Sequence, residues 1–198
     1  MAEQIRDGSG KGHLAKVNAN QQLYVKAVTN NEDDQATEDG RAFNINTGVI
    51  TLTNGTETPL LYVKNNETQA IHISAIAVGV GPTTGGTGGI PKITVIRNPT
   101  AGTIISSTPT DVDINSNRNY GSATTLSVTA YKGATGDTMT DGEDHIIFFQ
   151  GNSGRLFATI NEVLPSSASI GIKFDPQTSN TSQDVYAALV CHLEDANE

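Results

Sequence analysis

A single cysteine, Cys191, stands among 198 residues, so no internal disulfide forms and neither a cysteine-built zinc site nor an iron–sulfur cluster is available. Tryptophan is absent, and five Tyr and five Phe leave the chain without the aromatic platforms of many carbohydrate-binding sites. Basic residues are scarce. Twelve Lys and Arg against 21 Asp and Glu give a net charge of −9, which argues against general affinity for nucleic acid or for anionic membranes. Long apolar runs are missing too: residues 75–80 and 187–190 fall far short of the roughly 20 residues that span a bilayer. The opening MAEQIRDGSGKG has no apolar h-region, so neither a membrane span nor a secretory signal is expected, and the sequons at Asn54, Asn66 and Asn180 carry little weight.

What is present favours strands. The chain has 17 Ile, 13 Val and 25 Thr but only 10 Leu, and β-branched side chains are stiff at χ1 and suit a pleated surface better than a helix. Turn-forming residues (20 Gly, 7 Pro, 17 Asn) are spread through the chain. Alternation predicts about ten strands, among them 23–28, 48–53 and 59–64, with Asn54-Gly55 reading as a tight hairpin turn between the last two and Asn65-Asn66 as the stop. Ile71, Ile73, Ala75 and Ala77 share one predicted face; so do Leu126, Val128 and Ala130, and so do Ala168, Ile170, Ile172 and Phe174, with Ser169, Gly171 and Lys173 on a wet face. No window sustains a 3.6-residue apolar period, so almost no helix is expected. The fold class predicted is all-β: an antiparallel β-sandwich, jelly-roll-like, with an N-terminal arm.

Three domains of behaviour follow: residues 1–30 as arm or first hairpin, 31–41 as an acidic linker (NNEDDQATEDGR spans 30–41), and 42–198 as the sandwich. Residues 1–30 hold four basic and two acidic side chains, against eight and nineteen in the remainder, so the leading segment is opposite in charge to the body. Residues 79–89, six of them glycine, read as a flexible connection, and 135–144 as a second acidic loop.

Chemistry-bearing motifs are weak. Ser153 in GNSGR lacks the second glycine of a nucleophile elbow, because Arg155 stands there, and reads as a polar hairpin turn between Phe149 and Leu156. The run from Asp137 to Asp144 resembles a calcium loop only in part: Met139 takes a ligand position and Phe148 the place of the terminal Glu. His13, His72, His145 and His192 show no short metal-binding spacing; His72 and His192 sit on strands that could meet across a sheet, although a hydrogen-bonded or solvated strand histidine is the expected state of each. Cys191, in phase with Val185, Ala187 and Leu189, reads as a buried small hydrophobe. No catalytic residue, metal or cofactor is expected.

The opening IRDGSGKGHLAKVN (5–18) with NQQLYVKAV (20–28) resembles the N-terminus of virion structural proteins of tailed bacteriophages, and LPSSASIGI (164–172), FDP (174–176) and residues 185–193 resemble the last strands of their capsid decoration, or cement, proteins. The resemblance covers both ends and extends to the middle only in style. It implies a non-enzymatic, trimeric β-sandwich on the outside of a phage head, made in the host cytoplasm, with the major capsid protein as partner and neither nucleic acid nor membrane. Arg6, Lys11, Leu14, Lys16, Val17, Leu23 and Val25 of the arm would then make the capsid or inter-subunit contact. The alternative from another class is a receptor- or glycan-binding module of a phage fibre or tail, with residues 79–89 and 115–122 as its loops.

Overall fold

The computed structural model describes residues 31–194 apart from 54, 87–88, 107–109, 152–153 and 178–179. The arm, including the strand expected at 23–28, lies outside the described residues, as does Ser153. After a short helix α1 (Glu32–Glu38) come β1 (Ala42–Asn46), β2 (Ile50–Leu52), β3 (Thr58–Asn65), β4 (Ile71–Gly86) and β5 (Lys92–Arg97). A one-turn helix α2 (Thr103–Ser106) precedes β6 (Thr110–Asp111), β7 (Asp113–Asn117) and β8 (Val128–Lys132), and β9 (Glu143–Phe149), β10 (Gly154–Leu164), β11 (Ser169–Asp175) and β12 (Asn180–Leu193) close the chain.

Among the described residues these strands form two antiparallel sheets, ordered β10-β4-β12-β1-β7, with β2 also on β12, and β6-β8-β3-β11-β5-β9. Taken in chain order, β1, β3, β4 and β5 alternate between the two sheets, β9 stays in the sheet of β5, and β10, β11 and β12 alternate again, which is the connectivity of an eight-stranded jelly roll. The segment between β5 and β9 adds β7 beyond β1 and both β6 and β8 beyond β3, so β9 and β10 are left as the edges at the other side. Between the sheets lies one large apolar cluster that includes Phe43, Leu60, Ile76, Ile93, Ile172, Phe174 and Leu189, each at most 1 % exposed.

The predicted faces hold for Leu126, Val128 and Ala130 and for Ile170, Ile172 and Phe174, all in that core with Ala168 packed against it. In β4 the alternation changes phase. Cys191 pairs with Ile73 while Val190 pairs with Ala75, so Ser74 is an extra residue in the strand. Beyond this bulge Ile76, Val78 and Val80 point into the core, where Ala75 and Ala77 were expected.

Asn54-Gly55 does not close a hairpin. β2 pairs with Gln183–Val185 of β12, whereas β3 pairs with β8 and β11, so the chain here crosses from one sheet to the other. The connection after Phe149 likewise crosses between sheets rather than turning back on its own strand. Asn65 does end β3: its buried side chain donates to the carbonyls of Gln69 and Leu164, both at 2.9 Å. Most of the glycine-rich stretch is strand, since β4 runs on to Gly86. Gly79 faces Tyr186 of β12, whose ring fills the space that a Cβ at Gly79 would need.

The expected wet face of β11 is partly covered. Ser169 and Gly171 are buried, and the side chain of Met139 lies over Gly171, joined by Tyr62, Ile96 and Ile104 in a second, smaller apolar cluster.

Helix is sparse, but the acidic run expected as a linker contains α1. Glu32, Asp33 and Asp34 occupy its first turn, where the helix dipole favours negative charge, and Ala36 is its buried residue. A seven-residue helix with one apolar contact has no period to detect.

Candidate functional site

Charge and register together build a cluster at the start of β4 and the end of β12. The cross-strand register places His192 opposite His72, and their rings stack with centroids 5.1 Å apart and planes 13° from parallel. Both lie out of phase with Ile71, Ile73, Cys191 and Leu193, which belong to the core, so the imidazoles are on the outer face of the sheet. His192 is nevertheless only 5 % exposed, because α1 packs on β1 and β12.

The helix brings two carboxylates to this pair. Glu32 Oε1 lies 3.4 Å from His192 Nε2, and Asp33 Oδ1 lies 3.5 Å from His192 Nδ1. Neither contact is aligned as a hydrogen bond: among the described residues, both ring nitrogens of His192 and Nε2 of His72 are buried without a hydrogen-bond partner. Asp33 is held from its other side. Arg118 Nη1 donates to Asp33 Oδ1 and Oδ2 at 2.7 and 2.8 Å, and the hydroxyl of the bulged Ser74 donates to Oδ1 at 3.3 Å. Burial raises the Asp33 pKa, but the hydrogen bonds and charge of Arg118, with help from Ser74, outweigh it and hold the carboxyl below its ordinary 3.8.

Arg118 is itself placed by a well-braced turn. Its backbone N–H donates to the carbonyl of Ala42, Asn117 Nδ2 donates to Gly40 O at 2.7 Å, and Asn119 Nδ2 donates to Glu38 O at 2.9 Å. At the tip of that turn Tyr120 is fully exposed, while the Asn119 side chain accepts from the N–H of Gly121.

A second feature is the edge that β9 and β10 form among the described residues. β10, eleven residues long, carries Phe157 and Val163 exposed by 53 % and 52 %, and β9 carries Ile147 and Phe149 exposed by 50 % and 67 %. His145 of β9 and Glu162 of β10 meet at 3.0 Å across the gap between the sheets. Beside them lies a groove of about 330 Å³ lined in part by Ile73, Val95, Arg97 and Leu164.

The arm residues Arg6, Lys11, Leu14, Lys16, Val17, Leu23 and Val25 lie outside the described residues. Cys191 is buried, and burial pushes its thiol up to about 12, so it is a core side chain and not a nucleophile. Asp137 braces its own loop, accepting from Thr103 Oγ1 and from the N–H of Ala134, and Met139 is buried beside it. The sequence showed that His72 and His192 were strand residues; the covering helix and the two carboxylates were not visible, because neither has a spacing relation to the histidines.

No family model matches the sequence, and no curated protein matches it. Among solved structures, the infectious bursal disease virus Gt strain aligns at 10 % identity over 77 % of this chain and 42 % of that chain, with a TM-score of 0.21. A mutant VP2 protein of infectious bursal disease virus, from derived T=1 particles, aligns at 9 % identity over 77 % and 40 %, with a TM-score of 0.20. The chain thus spans about two fifths of the length of these structures. At such scores the overlap carries no inference, and the fold rests on the chain's own strand order.

Proposed function

We propose that the chain is a virion structural protein, and specifically a decoration (cement) protein of a tailed-phage head that binds the outer surface and braces neighbouring capsomers, acting as a homotrimer and not as an enzyme. The observation that carries this reading is the β10 edge. An eleven-residue edge strand with two half-exposed apolar side chains is a template for pairing with another chain, and natural monomers normally blunt such edges. The phage-like run at 5–18 and the excess of basic residues in 1–30 over an acidic body supply a second contact, through which the arm residues from Arg6 to Val25 would reach the major capsid protein.

The test has two steps. Light scattering of the full chain is expected to give three times 20.8 kDa, and imaging of undecorated heads mixed with it should show added density on the shell. A chain lacking residues 1–30 should stay folded and lose head binding. Retained binding by that truncation would remove the arm from the proposal, and a monomer that ignores heads would remove the proposal itself.

One feature favours the alternative of a glycan- or receptor-binding module: Tyr120, fully exposed on the braced turn, presents a rigid aromatic face of the kind that stacks on sugars. Binding on a glycan array that is lost in Tyr120→Ala, with no affinity for heads, would establish that reading instead.

A further inference from the structure

We infer that His72, His192 and Glu32 form a binding site for one divalent transition-metal ion of the zinc class. The site goes beyond the virion role and does not depend on it. Their ligand atoms all lie within 4.8 Å of one another, and among the described residues this is the group of three His, Cys, Asp or Glu side chains close enough to hold an ion. Two imidazoles and a carboxylate suit zinc and its neighbours; calcium and magnesium prefer oxygen alone. Zinc–ligand bonds of about 2.0–2.1 Å at tetrahedral angles separate ligand atoms by roughly 3.3 Å. Glu32 Oε1 and His192 Nε2, 3.4 Å apart, already have that separation. His72 completes the set by a tilt of its ring away from the stacked arrangement, and a solvent molecule fills the fourth position.

Burial makes the point from the opposite direction. An imidazole nitrogen enclosed without a hydrogen bond costs free energy, yet among the described residues His192 has two such atoms, met only by misaligned carboxylates, and His72 a third. With His72 tilted, a cation at the ring edges, in the plane of each imidazole, satisfies His72 Nε2 and His192 Nε2 together. On the far side of His192, Asp33 stands 3.5 Å from Nδ1 and is itself fixed by Arg118, the carboxylate–imidazole–metal order that sets the tautomer of a ligating histidine. Metal binding requires both imidazoles neutral and Glu32 ionised, and it would fasten α1 to the ends of β4 and β12.

The experiment is zinc titration of the EDTA-treated full-length protein by calorimetry, with wild type, Glu32→Gln and His72→Gln. Wild type should take up one ion per chain, and each substitution should weaken binding by about tenfold or more, since even outer-shell changes cost that much. Glu32 is exposed at the start of its helix, so Glu32→Gln retains the fold and keeps the comparison valid. Zinc at a hundredfold excess over its Kd should also raise the wild-type Tm by about 5–10 °C, reversed by EDTA. No uptake, or an affinity unchanged in either variant, overturns the site; the second result would assign the ion to other groups such as His13 or the His145–Glu162 pair.

Discussion

Asp33 is pulled in two directions, and the balance fixes how the fold responds to acid. Burial favours its neutral form; Arg118 and Ser74 favour the carboxylate and win, so the folded pKa lies below the unfolded one. The resulting stabilisation is complete above about pH 3.8 and is lost as pH falls through the folded value. In Arg118→Met the carboxylate keeps its burial and loses its guanidinium partner, so urea unfolding at pH 7 should show a loss of about 1–3 kcal/mol. That gap between variant and wild type is expected to be constant from pH 5 to 8 and to close below about pH 3.8; a gap of equal size at pH 3 would remove Asp33 as its origin. Single residues were unevenly legible. Cys191 could be assigned to the core from its phase with Val185, Ala187 and Leu189, because strand alternation depends only on neighbours in sequence. Nothing in the sequence joins Asp33 to Arg118, since 85 positions separate them and only the fold makes them a pair.

At the level of elements, strands with clean two-residue alternation were legible and their irregularities were not. Leu126, Val128 and Ala130 announced the inward face of β8, whereas the bulge at Ser74 moves β4 out of phase without any local sequence cue. Asn54-Gly55 carries strong local hairpin chemistry, yet β2 finds its partner in β12, which lies 133 positions away at the Thr51–Asp184 hydrogen bond. Long-range pairing overrode the turn. The outer face of β11 shows a related effect: Gly171 looks like a solvent-facing gap until the 135–144 loop is seen to lay Met139 across it. The cover is part of the fold's stability. Met139→Ala should cost about 2 kcal/mol, the low end for a buried methionine because a surface loop can settle into the space. Met139→Leu, which conserves volume, should cost less than about 1.5 kcal/mol. Equal urea midpoints for Met139→Ala and wild type would show that the loop does not carry load on β11.

For the molecule as a unit, topology decides which strands end the sheets among the described residues. The β5–β9 segment spends its strands on one side, where two-residue β6 and five-residue β7 end the sheets, and leaves seven-residue β9 and eleven-residue β10 at the other. An acidic body repels copies of itself at long range, so self-association needs a short-range apolar contact, and the exposed Phe157 and Val163 of β10 offer one. Phe157→Glu and Val163→Lys test this without disturbing the core: both side chains are about half exposed, so each variant should unfold within about 0.5 kcal/mol of wild type. The two substitutions place opposite charges, so a shared loss of assembly cannot come from net charge. If β10 is the subunit contact, light scattering of either variant should fall from three times 20.8 kDa to 20.8 kDa at unchanged Tm. A trimer that survives both substitutions would locate the contact on another surface and leave β10 free to face the capsid shell.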